Sequence, residues 1–150
     1  MRFWLTTLLV LVIDQLSKLW IVNNFAPGES RVIWNKVLWL TYVQNQGAAF
    51  GILQGHSWLF FLCAILVMII LVVINSKQRL PVTMQVIFGL IMAGAIGNLL
   101  DRLRLNYVVD FFDLGWWPVF NIADMAIVCG AILLVIKLLW DEKGEHRASE

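Results

Sequence analysis

Four apolar stretches, at about 3–22, 57–74, 82–100 and 122–140, leave this chain few folds other than one built across a lipid bilayer. A helix rises about 1.5 Å per residue, so ~20 residues cross the hydrocarbon core with every backbone group bonded internally. With 61% of its 150 residues hydrophobic and 14% charged, the chain carries more apolar surface than one soluble core can hide. The expected fold is therefore α-helical: a four-transmembrane-helix bundle forming a single integral membrane domain over 1–150.

Aromatic and basic residues orient the spans. Trp20, Trp34, Trp39, Trp58, Trp116 and Trp117 fall near one boundary, and Trp4 and Trp140 near the other, as membrane-interface belts do. Arg2, Lys77, Arg79, Lys137, Lys143 and Arg147 lie towards one side, and Arg31, Lys36, Arg102 and Arg104 towards the other. That excess of cations puts both termini in the cytoplasm. The first span reads as a retained helix, because Asp14 and Lys18 interrupt the apolar run and no small-x-small cleavage site follows closely. A net charge of +1 argues for neither nucleic acid nor acidic partners. Cys63 and Cys129 read as small buried hydrophobes, and His56 and His146 are too isolated to make a metal site.

The 23–56 connection holds a Pro27-Gly28 turn and two runs, 31–34 and 37–43, rich in β-branched and aromatic residues. They predict two or three short antiparallel strands in a small extracytoplasmic sheet. After them comes Gln44-Asn45-Gln46-Gly47-Ala48-Ala49-Phe50-Gly51, a small-residue segment able to approach a ligand, or simply to turn. The second outer connection, 101–121, reads as a loop holding Asp101, Arg102, Arg104, Asp110 and Asp113. Asn121, with Asp124 three residues later, resembles a capping box opening the fourth helix.

Polar residues in or beside the spans carry the functional information. Asp14 and Lys18, one helical turn apart, can pair as a structural bridge, although an intramembrane ion pair is also a functional candidate. Gly89, Ala93 and Gly97 form a packing stripe on the third span. Above it, Asn98 and Arg102 either offer donors to a peptide carbonyl or merely cap the helix and snorkel to water. Asp110 and Asp124 taken singly are a loop acid and a helix-dipole acid. Together, each beside an apolar run at one membrane face, they suit a pair in which one carboxyl is protonated and the other ionised.

These residues resemble the motifs of the lipoprotein signal peptidase family, signal peptidase II, over nearly the whole chain. The resemblance is carried in order by Asp14-Gln15-Leu16-Ser17-Lys18, Asn45-Gln46-Gly47-Ala48-Ala49-Phe50-Gly51, Gly97-Asn98-Leu99-Leu100-Asp101-Arg102, Val108-Val109-Asp110-Phe111 and Phe120-Asn121-Ile122-Ala123-Asp124. It implies an aspartic endopeptidase of the bacterial cytoplasmic membrane that removes prolipoprotein signal peptides, cutting before a diacylglyceryl-modified cysteine at the outer face. By motif position Asp110 and Asp124 match the catalytic pair. Asn45, Gly47, Asn98, Asp101, Arg102 and Asn121 match substrate-site positions, and Asp14 and Lys18 supporting ones. The implied partners are prolipoprotein, membrane lipid and a globomycin-type inhibitor, with the enzyme acting as a monomer and needing no metal or other cofactor. Two departures stand out: Asn106 where the pattern has glycine, and a short interval between Asp110 and Asp124. A proton-coupled transporter, relaying through Asp14, Lys18 and Asp124, is the rival from another class. It requires a polar stripe through several helices, and the second span carries no charge.

Overall fold

A computed structural model describes residues 1–47 and 57–148. The elements run α1 (Arg2–Asn24), β1 (Ser30–Trp34), β2 (Leu38–Asn45), α2 (Ser57–Lys77), α3 (Val82–Leu105), β3 (Val108–Asp113) and α4 (Ile122–Ala148). Among the described residues α1, α3 and the Ile122–Glu142 part of α4 are long and apolar enough to span a membrane, and α2 contributes a shorter apolar helix, Phe61–Lys77. The residues of the glycine-containing segment from position 48 onward lie outside the described residues.

The sheet is larger in sequence span than expected. β1 and β2 arise from the first connection, but a third strand comes from the second, giving one antiparallel sheet in the order β1-β2-β3. Val108-Val109-Asp110-Phe111-Phe112 is β-branched and aromatic, so it pairs along β2, with Val43 opposite Asp110 and Asn45 opposite Val108. Asp110 is thus held on a strand rather than carried in a loop.

Two boundaries need correction. α3 runs past position 100 to Leu105, so Asp101, Arg102 and Arg104 are helical and not part of the outer loop. The leucines and arginines of that last stretch are good helix formers. The helix ends at Asn106, which takes the left-handed conformation (φ 64°) while its N–H bonds Arg102 O at 3.1 Å. Asn at a position suited to glycine is the usual alternative for such a C-terminal cap. α4 continues beyond 140 to Ala148.

α3 is clasped between α1 and α4 because its small residues admit neighbouring backbone. A Cβ on Gly94 would lie 2.3 Å from Ala123 O of α4, and one on Gly89 would lie 2.8 Å from Phe3 O of α1. Away from the sheet the bundle closes on Phe3, Leu71, Ile87, Phe88 and Met92. Beneath the sheet Ile21, Phe25, Tyr42, Val109 and Phe111 join the end of α1 to the strands. Cys63 and Cys129 are exposed on the helix surfaces, contrary to their expected burial.

Candidate active site

The start of α4 is capped as its sequence predicts. The Asp124 N–H donates to Asn121 Oδ1 at 2.9 Å, and the Asn121 N–H donates to Asp124 Oδ2 at 3.2 Å. The same Asn121 side chain then turns its amide nitrogen to Asp110 Oδ1 at 2.7 Å. One asparagine therefore ties the end of β3 to the first turn of α4 and brings the two carboxylates to one place.

Each aspartate is held at both oxygens. Asp110 Oδ2 accepts from Asn45 Nδ2 at 2.8 Å, across the β2–β3 pairing. Asp124 Oδ1 accepts from Asn98 Nδ2 at 2.7 Å. Asp110 is 2% exposed. Its burial, and next the Asp124 charge, push the Asp110 carboxyl up to about 7, against the opposing pull of the Asn45 and Asn121 amides and the Lys18 cation. A carboxyl poised there can hold a proton near neutral pH.

A second tier sits on the α1–α3 side. Lys18 Nζ lies 3.0 Å from Asp14 Oδ2, 2.9 Å from Asp101 Oδ2 and 3.0 Å from Asn98 Oδ1, all buried. Asp14 Oδ1 accepts the Ala123 N–H at 2.9 Å, next to Asp124, and Asp101 Oδ2 accepts the Val109 N–H at 3.1 Å, next to Asp110. The Asp14–Lys18 pair is thus a bridge, as expected, but one anchored to the chain on either side of both aspartates. Asn98 does not cap its helix, since α3 continues beyond it and its amide is spent on Asp124 and Lys18.

The carboxylates face a cavity of about 330 Å³ lined also by Asn45, Gly47, Asn98, Arg102, Trp117 and Phe120. Arg102 reaches across it, with Nη2 donating to Gly47 O at 3.4 Å. Gly47 is itself turned by its N–H on Asn45 Oδ1 at 2.9 Å. Beyond Trp117 and Phe120 a nearly apolar pocket of about 370 Å³ opens along α4 to Met125 and Cys129. Of the ten residues expected at the site, Asn45, Gly47, Asn98, Arg102, Asp110 and Asp124 line the first cavity, while Asn121, Lys18, Asp14 and Asp101 lie outside its lining and bond to these residues or to their chain neighbours. Gln15 was missed: its amide donates to Asp14 Oδ2 and Asp101 Oδ1, each at 3.1 Å. An uncharged polar residue inside an apolar run beside Asp14 was the available signal. The apolar wall of Trp117 and Phe120 left no signal in the spacing, because aromatics near a membrane boundary are expected anyway.

A water held between two such carboxylates can be deprotonated by one while the other protonates a carbonyl oxygen, which is peptide-bond hydrolysis by an aspartic pair. Comparison with known proteins agrees with that chemistry. The family model for Signal peptidase (SPase) II matches residues 6–140. A lipoprotein signal peptidase of Syntrophomonas wolfei is 53% identical over 147 residues, covering 98% of this chain and 99% of the relative. One from Moorella thermoacetica is 47% identical, covering 93% of each. Two bacterial membrane enzyme structures obtained by the in meso method superpose with TM-scores of 0.88 and 0.84, both at 37% identity. The first covers 95% of this chain and 90% of its own, the second 91% and 92%.

Proposed function

The chain belongs to the signal peptidase II family of aspartic peptidases, and from that premise we propose that Asp110 and Asp124 are its catalytic pair. It is a lipoprotein signal peptidase and a multi-pass bacterial membrane enzyme, with a prolipoprotein as substrate. The observation that carries the residue assignment is the Asn121 clamp, which sets both carboxylates on one cavity wall.

In the proposed cycle the scissile amide enters from the bilayer and lies across the cavity. One ionised aspartate takes a proton from water as the water oxygen bonds to the carbonyl carbon, while the protonated partner gives its proton to the carbonyl oxygen. Collapse of the tetrahedral intermediate breaks the C–N bond and reforms C=O: the aspartate that took the water proton gives it to the leaving nitrogen, and one hydroxyl of the intermediate returns its proton to the ionised partner, restoring the singly protonated pair. The two carboxyls titrate as one unit, so the resting proton belongs to the pair. Arg102 supplies donors to the peptide, Asn98 holds Asp124, and Asn45 and Asn121 keep Asp110 in place.

The finer reading places cleavage before a diacylglyceryl-modified cysteine, with its lipid left beside α4. It puts the sheet and the site on the outer face and both termini in the cytoplasm, within one membrane domain acting as a monomer. A globomycin-type peptide would occupy the same cavity. A relay through the membrane finds little support, since Thr7 is the one buried polar side chain in the half of the bundle away from the sheet among the described residues. The deciding experiment is cleavage of a purified prolipoprotein with and without its diacylglyceryl group. Cutting before the modified cysteine is expected. Equal cutting of the unmodified protein, or cutting elsewhere, rejects the finer reading.

A further inference from the structure

We propose that Lys18 is a positioning residue whose buried ammonium decides which end of the Asn98 amide faces Asp124. The proposal rests on the assignment of Asp124 to the catalytic pair.

An asparagine amide can present either its oxygen or its NH₂ to a neighbour, and only its surroundings choose between them. Lys18 makes that choice for Asn98. An ammonium has three donors and no acceptor, and here three oxygens meet it: Asp14 Oδ2, Asp101 Oδ2 and Asn98 Oδ1. The Asn98 oxygen is thereby committed to Lys18, and the NH₂ is left directed at Asp124 Oδ1, 2.7 Å away. Asn121 gives one amide hydrogen to Asp110 at 2.7 Å and the other to the same Asn98 oxygen at 3.1 Å, a neutral donor beside the charged and shorter one from Lys18.

Removing the ammonium does more than delete one bond. Asp14 and Asp101 would then be acceptors facing Asn98 with no cation between them. Their carboxylates compete with Asp124 for the Asn98 NH₂, and rotation of the amide turns its oxygen towards Asp124. An acceptor facing the ionised form of Asp124 opposes the state needed to draw a proton from water. A purely structural Asp14–Lys18 bridge would stabilise the helices without this dependence on Asn98.

The test is a double-mutant cycle on diacylglyceryl-prolipoprotein cleavage, using Lys18→Met, Asn98→Ala and their combination in the full-length enzyme. Lys18→Met is expected to lower kcat by roughly 10- to 100-fold, the scale of one charge-assisted hydrogen bond, with KM changed by no more than about twofold. In the Asn98→Ala background the same substitution is expected to cost less than about threefold, because its route to Asp124 is already gone. Losses that multiply overturn the proposal, as does a change confined to KM. Lys18→Met leaves Asp14 and Asp101 buried without their cation. The cycle is therefore repeated with Asp14→Asn added throughout, which returns the Lys18→Met arms to the parent cluster's net charge. Failure of both Lys18 backgrounds to fold while Asn98→Ala folds makes Lys18 structural and also overturns the proposal. Asp110→Asn and Asp124→Asn in the same assay separate the two ideas: their activity would refute the catalytic pair, whereas multiplicative losses with both inactive refute only the role of Lys18.

Discussion

Away from the sheet, α1 meets α3 through Phe3, Thr7 and Gly89; beneath the sheet the same helices meet through Asp14, Lys18, Asn98 and Asp101. Both contacts are close, but they are close for different reasons. Lipid tails are as apolar as side chains, so the first contact depends on fit: small residues bring backbones together and fill space. In the second, a Cβ on Gly97 would lie 2.5 Å from Asp14 Oδ2, so the same small-residue device makes room for a carboxylate. Burying charge there is costly unless every group is paired, and no buried side-chain nitrogen or oxygen among the described residues lacks a partner. One half is built for adhesion and the other for holding charges still. Substitutions in the two halves should therefore separate stability from chemistry.

The largest effect is expected at the catalytic pair. Asp110→Asn and Asp124→Asn should each lower kcat by on the order of 10⁴-fold or more, with melting in detergent close to the parent's. Turnover within tenfold of the parent by either folded variant would end the assignment of both. Arg102→Ala should come next, with kcat/KM down roughly 10- to 100-fold if its guanidinium bonds the substrate peptide. A change in melting temperature alone would put Arg102 with the adhesive half instead.

Acidity sharpens the contrast further. The pair must carry one proton, and Asp110 is held up to about 7 by burial and by Asp124. Activity should fall as pH rises beyond that value, approaching tenfold per unit, and should also fall in acid as the second carboxyl is protonated. Stability should follow the same group. Its value in the folded chain lies above the ordinary one, so the folded state binds the proton more tightly. The associated stability is present below about pH 4 and is lost as pH rises through about 7. A pH-independent rate between 6 and 9 would contradict the activity profile, and a melting temperature unchanged between pH 4 and 8 the stability profile.

The smallest catalytic effect belongs to the adhesive half. Met92→Ala, at a position 2% exposed, should reduce stability by about 2–5 kcal/mol and leave kcat per folded molecule within about twofold. A tenfold loss of kcat without unfolding would show that the halves are mechanically coupled.

The apolar runs and the Asn121–Asp124 cap could be read directly because each depends on neighbours within one or two helical turns. So could the two strands of the first connection, where alternation and side-chain branching are local. Motif resemblance named ten candidate site residues, but without their contacts. The third strand carries the same local composition at residues 108–112, but its pairing with β2, and so its place in the sheet, depends on a partner from the other connection. The role of Lys18 was hidden: its turn-neighbour Asp14 is visible in sequence, whereas Asn98 and Asp101 reach it from another helix. Local periodicity and backbone hydrogen bonding suffice to determine which segments enter the membrane. Which polar atoms face one another is decided only when α3 is clasped between α1 and α4, since a hydrogen bond depends on separations that no spacing along one chain specifies.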